Sequence, residues 1–148
     1  MEEINYILNK KNGVRFVYNE EGILLKEENF KQDTLDGKWK LFYPSGSLKM
    51  EREYVFGKIY GAEKSYYEGE ELQSKTYYKD SKKTGIATLY YQNGEISEYG
   101  KYNQDKLNGK YYKYFLNGML KSEIEYDEGN MISEINYNEE GGKITASK

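Results

Sequence analysis

Residues 37–60 read GKWKLFYPSGSLKMEREYVFGKIY. Within this stretch, 38–43 is Lys-Trp-Lys-Leu-Phe-Tyr, aromatic-rich and partly alternating, and Pro44-Ser45-Gly46 punctuates it. Residues 47–54 alternate again, with Leu48, Met50 and Tyr54 on one parity, and Val55-Phe56-Gly57-Lys58 lies between this run and the next unit. Strand, tight turn, strand, turn is the reading that this order of β-formers and breakers supports. A helix is disfavoured, because glycine recurs too often and no stripe of 3.6-residue period lasts ten residues.

The same pattern repeats on both sides. Gly13, Gly37, Gly61, Gly85 and Gly109 fall 24 residues apart. Nine positions on stand Gly22, Gly46, Gly94 and Gly118, with Glu70 breaking the series and Gly69 one place early. Leu24, Leu48, Leu72, Ile96 and Leu120 form a third column, and Phe30, Tyr54, Tyr78, Tyr102 and Tyr126 a fourth, which Tyr6 also fits. One domain is expected over 1–148: a partial unit at 1–12, full units at 13–36, 37–60, 61–84, 85–108 and 109–132, and a degenerate unit with a tail at 133–148. After Ser133 the register slips, and the closing GGKITASK has little to pack against. A period of this length marks an array of one supersecondary unit. The expected fold is all-β: an elongated, single-layer, twisted antiparallel meander of ten to twelve short strands. Asn93-Gly94 and Asn117-Gly118 supply the strongest short hairpin signal. At about 4.8 Å between strands and 3.4 Å per residue the sheet is on the order of 50 Å long and 25 Å wide.

Columns of like residues then lie side by side. One parity of the first strand carries Trp39, Leu41, Tyr43, Tyr67, Ala87, Leu89, Tyr91, Tyr111 and Phe115. Placed on one face with the Leu/Ile and Phe/Tyr columns of the second strand, these residues form the expected core. Arg15, Glu63 and Ala87 replace a Trp or Tyr, so their units are expected to pack less tightly. The other parity carries Tyr18, Phe42, Tyr66, Tyr90 and Tyr114, a stripe of half-exposed rings on the opposite face.

Composition narrows the chemistry. The 148 residues contain no Cys and no His, which excludes disulfides, Cys/His zinc sites and Ser-His-Asp or Cys-His catalysis. Twenty-two Lys and Arg against 25 Asp and Glu argue against a nucleic-acid binder. Lys10-Lys11 and Lys82-Lys83 are too sparse for a membrane surface. The start, MEEINYILNK, lacks the charged and apolar regions of a signal peptide, so a cytoplasmic location is expected. Lys outnumbers Arg 20 to 2, a bias that accompanies AT-rich coding and suggests a bacterial source. Glu20-Glu21, Glu27-Glu28 and 68–71 read as solvated turns and faces, and Asp33-Thr34-Leu35-Asp36 lacks calcium-loop spacing. No cofactor is implied.

GKWKLFYPSGSLKMEREY and GKYYKYFLNGMLKSEIEY resemble the MORN-type repeat, in the variant of the bacterial YwqK-like antitoxin family, over roughly residues 3–145. The resemblance implies a hairpin meander without catalysis and a role in binding and blocking a cognate toxin. The expected contact residues are Trp39, Phe42, Tyr43, Tyr66, Tyr67, Tyr90, Tyr91, Tyr114 and Phe115, since Tyr and Trp offer large area with few rotors. Two other readings stand beside this one: rings stacking on carbohydrate or a cell surface, and end strands pairing with a second copy.

Overall fold

A computed structural model describes residues 1–144; the expectation for the last four residues lies outside them. Every regular element among the described residues is a strand. In chain order they are β1 Glu2–Ile7, β2 Lys10–Tyr18, β3 Leu24–Lys31, β4 Thr34–Phe42, β5 Leu48–Val55, β6 Lys58–Ile59 and β7 Gly61–Tyr66. Beyond these come β8 Leu72–Lys79, β9 Lys82–Tyr90, β10 Ile96–Asn103, β11 Lys106–Tyr114, β12 Leu120–Asp127, β13 Asn130–Tyr137 and β14 Lys143–Ile144. They form one antiparallel sheet in sequence order, with β6 attached to β5 beside the main path. The count exceeds the expected ten to twelve because β6 and β14 are two-residue strands. Among the described residues no large side chain is fully buried, as a single layer requires.

Two kinds of turn alternate. At one edge the glycine turns close three-residue loops: Tyr91 N–H donates to Glu95 O and Gly94 N–H to Tyr91 O, with Gly94 at φ +86°. Asn93 therefore does not sit in a two-residue mirror-image turn; its side chain accepts from Glu95 N–H at 3.0 Å while glycine alone enters the left-handed region. In the third unit Glu70 takes that conformation, at φ +74°. The two-residue turns lie at the opposite edge, on pairs such as Gln32-Asp33 (φ +49° and +67°) and Gln104-Asp105. Each is tied to the preceding unit: Asp33 N–H donates to Lys11 O and Asp105 N–H to Lys83 O, and the Asp33 and Asp105 carboxylates accept from Lys11 and Lys83 N–H at 2.8 Å. These bonds compensate non-glycine residues for a strained conformation.

A bulge decides which columns share a face. Leu41 pairs with Met50, but Phe42 pairs with Leu48, so Lys49 is an extra residue. The same break recurs in the other four units and turns each second strand over. The Leu/Ile column therefore lies opposite Tyr18, Phe42, Tyr66, Tyr90 and Tyr114. This corrects the expectation that it joins Trp39. The extra residues turn to the other side, where Lys49 covers the Tyr43 ring at 5.1 Å and Lys121 the Phe115 ring at 5.6 Å.

The Trp39 face carries what core there is. One row crosses the sheet through Arg15, Glu28, Trp39, Arg52 and Glu63, then Thr76, Ala87, Gly100, Tyr111 and Ile124. Its first half alternates charge and ring: Arg15 binds Glu28 at 2.8 Å, the Trp39 indole N–H donates to Glu28 at 3.1 Å, and Arg52 lies over Trp39 and holds Glu63 at 2.9 Å. Its second half is small or apolar. Ala87 faces Gly100, and the Tyr111 ring lies where a Cβ of residue 100 would stand. Looser packing was expected around Arg15, Glu63 and Ala87. The ladders run through Arg15 and Ala87, because an ion pair replaces the first ring and Tyr111 fills the space above the second. The Glu63 unit lacks one rung: β5 pairs Met50–Ser65 and Glu51–Lys64 with β7 and continues as Tyr54–Ile59 and Val55–Lys58 with β6, and between them Arg52 and Glu63 meet through their ion pair.

Burial on this face holds several phenols neutral. Desolvation, and then the Glu63 carboxylate, push the Tyr78 hydroxyl up to about 12, and desolvation also raises Tyr54, Tyr102 and Tyr111. An unfolded tyrosine ionises near pH ~10. Above that pH the unfolded chain releases protons that the folded chain retains, so the stabilisation is complete below pH ~10 and is lost as pH rises through about 12. The urea midpoint should hold steady from pH 7 to 9 and fall steeply between 10 and 12. A flat profile to pH 11.5 would contradict the burial of these rings.

Candidate binding surface

Alternation along the first strand of each unit divides the nine candidate residues between two faces. Trp39, Tyr43, Tyr67, Tyr91 and Phe115 belong to the core face. Trp39 is 8% exposed, roofed by the Arg52 guanidinium 4.4 Å from its ring, and is closed to a partner. The Tyr43, Tyr67 and Tyr91 hydroxyls donate to the carbonyls of Tyr66, Tyr90 and Tyr114 at 2.7–2.8 Å, each lacing one unit to the next. Removing one such bond, as in Tyr67→Phe, should cost about 1 kcal/mol in urea unfolding. Phe115 shows that the column accepts a ring without a hydroxyl; a loss above roughly 3 kcal/mol would mean the ring itself had been displaced.

Phe42, Tyr66, Tyr90 and Tyr114 lie on the opposite face, half-buried, beside Leu48, Leu72, Ile96 and Leu120. Next to this stripe runs a second row: Phe16, Glu27, Lys40, Glu51, Lys64, Lys75, Thr88, Tyr99, Tyr112 and Glu123. Its first half is a charge ladder, with Lys40–Glu27 at 3.6 Å and Lys64–Glu51 at 3.0 Å. Tyr66 joins it by donating to Glu51 at 2.9 Å. Burial works to raise the Glu51 carboxyl, but the Lys64 and Tyr66 hydrogen bonds outweigh it and hold the group below its ordinary range. The Tyr66 hydroxyl is raised by desolvation and by the same carboxylate.

In the second half two tyrosines take the place of that charge pair. Tyr99 occupies the position of Glu27 and Glu51, and Tyr112 that of Lys40 and Lys64. Their rings stack at 6.0 Å and 29°, and Tyr112 meets Tyr114 at 6.5 Å. With Tyr90, Ile96 and Leu120 they make one continuous aromatic–aliphatic patch, and Ile96 is 41% exposed. Neither Tyr99 nor Tyr112 was among the residues expected from sequence. The signal that marks them is a departure from a charged column rather than membership of an aromatic one. Among the described residues no group of three Asp or Glu side chains is placed to hold a metal ion.

The structure is an open array of repeated hairpins, laced internally on one face and carrying an aromatic patch beside a charge ladder on the other. The sequence pattern of the MORN repeat variant matches residues 11–32, 35–55, 59–80, 83–104 and 107–128. The chain belongs to that repeat family, whose members are in general protein- or membrane-binding modules without catalysis of their own. No curated protein matches the chain.

Proposed function

We propose that this chain is a non-enzymatic protein-binding module whose contact surface is the Tyr90–Tyr99–Tyr112–Tyr114 patch. The observation that carries the reading is the replacement of a charge pair by two stacked rings at Tyr99 and Tyr112, in a row whose corresponding cross-strand pairs Glu27–Lys40 and Glu51–Lys64 are ion pairs. A sheet that gives up ion pairs for half-exposed rings gains nothing in solubility. Such patches serve as docking sites, and Tyr is a common anchor of binding energy. The resemblance to YwqK-like antitoxins supplies the kind of partner: a toxic protein that this chain holds inactive, in the cytoplasm of a bacterium.

The test is co-expression with small reading frames adjacent to the gene. A toxic product should be neutralised by the wild-type chain and co-purify with it. Both effects should vanish when Tyr99 and Tyr112 are replaced. Neutralisation that survives the replacement would remove the patch from the mechanism, and the absence of any toxic neighbour would remove the antitoxin role.

A further inference from the structure

On the Trp39 face a second row joins the cross-strand pairs Val17–Lys26, Leu41–Met50, Ser65–Ser74, Leu89–Glu98 and Lys113–Ser122. Only at Ser65–Ser74 are both partners small. There a hollow of about 410 Å³ opens, within the usual size range of small-ligand sites. Tyr67 and Tyr91 line it, and their hydroxyls are already engaged by carbonyls at 2.8 and 2.7 Å. With their donors used, these two residues offer an acceptor oxygen each and the surface of fixed rings. The Ser65 and Ser74 hydroxyls lie 2.6 Å apart on the floor, and Gln73 Oε1 stands 3.3 Å from Ser65 Oγ. Leu89, 39% exposed, the cross-strand neighbours Glu98 and Lys113, and Ser97 and Lys121 line it further, with Tyr90 and Tyr114 at its margin; Glu98 also accepts from the Tyr111 hydroxyl. Lys113 has no ion-pair partner among the described residues.

We propose that this hollow binds a saccharide unit, independently of the protein-binding patch on the other face. A sugar ring has apolar C–H faces and a rim of hydroxyls that both donate and accept. It needs fixed flat surfaces beside it and a mixed set of donors and acceptors below it. Immobilised Tyr67 and Tyr91, the exposed Leu89, two hydroxyls, an amide, a carboxylate and an ammonium provide both. A purely apolar ligand would bury these polar groups without partners. Glu98 beside Lys113 and Lys121 makes the lining mixed in charge, which suits a neutral polyol better than an ion of either sign.

The experiment screens the purified chain against immobilised oligosaccharides: β-1,4-linked glucose and N-acetylglucosamine chains, mannosides and galactosides. The best binder is then titrated into ¹⁵N-labelled protein. Amide shifts should concentrate at Ser65, Ser74, Leu89, Tyr91 and Glu98, with Trp39 emission unchanged. The variant Ser65→Leu/Ser74→Met recreates the Leu41–Met50 pair that the fold already holds one unit earlier, and it should weaken binding by at least about tenfold, or 1.4 kcal/mol. A panel without a binder, shifts mapping to the Tyr99 side, or undiminished binding by the filled variant would each overturn the proposal. Because Ser65→Leu/Ser74→Met leaves the Tyr99–Tyr112 patch untouched, it should still capture a protein partner, so failure of one site is distinguishable from failure of the other.

Discussion

Replacing Glu28 by alanine should destabilise the protein by about 3 kcal/mol, near the lower end of what breaking a buried ion pair costs. The carboxylate side chain is only 9% exposed and serves three partners: Arg15 at 2.8 Å, the Trp39 indole N–H at 3.1 Å and Lys26 at 3.6 Å. Its loss leaves the Trp39 N–H without an acceptor beneath Arg52. It also leaves Arg15 dependent on Glu2, a pairing at the sheet edge where both groups meet water. That surviving partner is why the lower end applies. Glu27, one residue away on the other face, pairs with Lys40 at 3.6 Å between partly exposed groups, so Glu27→Ala should cost less than about 1 kcal/mol. Glu28→Gln, which keeps an acceptor for the indole but removes the charge, should fall between them. Urea unfolding followed by the emission of Trp39, the only tryptophan, measures all three. Equal losses at 27 and 28 would mean that the crossing row of charges and rings does not hold the first units together.

The importance of Glu28 shows which features of the structure the sequence made legible. The 24-residue columns revealed the hairpin unit, the open meander and the half-exposed stripe, because each property follows from backbone repetition and side-chain alternation alone. The features they left hidden arise from events one residue long. The extra residue at Leu25, Lys49, Gln73, Ser97 and Lys121 reverses the second strand, so simple alternation put Leu48 on the wrong face. The two-residue turns carry little sequence signal because Gln32-Asp33 and Gln104-Asp105 are not glycine pairs; the preceding unit supplies the bonds that make them tolerable. Trp39 looked like a contact residue because large rings serve at interfaces, but a roofing arginine cannot be inferred from spacing. Tyr99 and Tyr112 were visible as letters yet lay outside the aromatic columns. In a repeat protein the columns report the scaffold, and the exceptions to them locate sites.

The paired replacement Tyr99→Glu/Tyr112→Lys turns that principle into a measurement, and it should weaken partner binding by at least about 100-fold, or 2.7 kcal/mol, the scale on which central aromatic anchors act. The substitution restores at β10–β11 the ion pair that the same two positions already form as Glu27–Lys40 and Glu51–Lys64. A restored charge pair in a half-exposed row is expected to fold as the earlier units do, with stability within about 1 kcal/mol of the parent. Loss of binding then reads contact rather than unfolding, which a tyrosine-to-alanine change could not guarantee where Tyr99 and Tyr112 support each other at 6.0 Å. Tyr66→Ser, two strand pairs away and hydrogen-bonded to Glu51, sets the boundary of the patch. If binding falls there as steeply as at Tyr99 and Tyr112, the whole stripe from Phe42 to Tyr114 is the interface. If it holds, the contact is confined to the units where rings displaced charge.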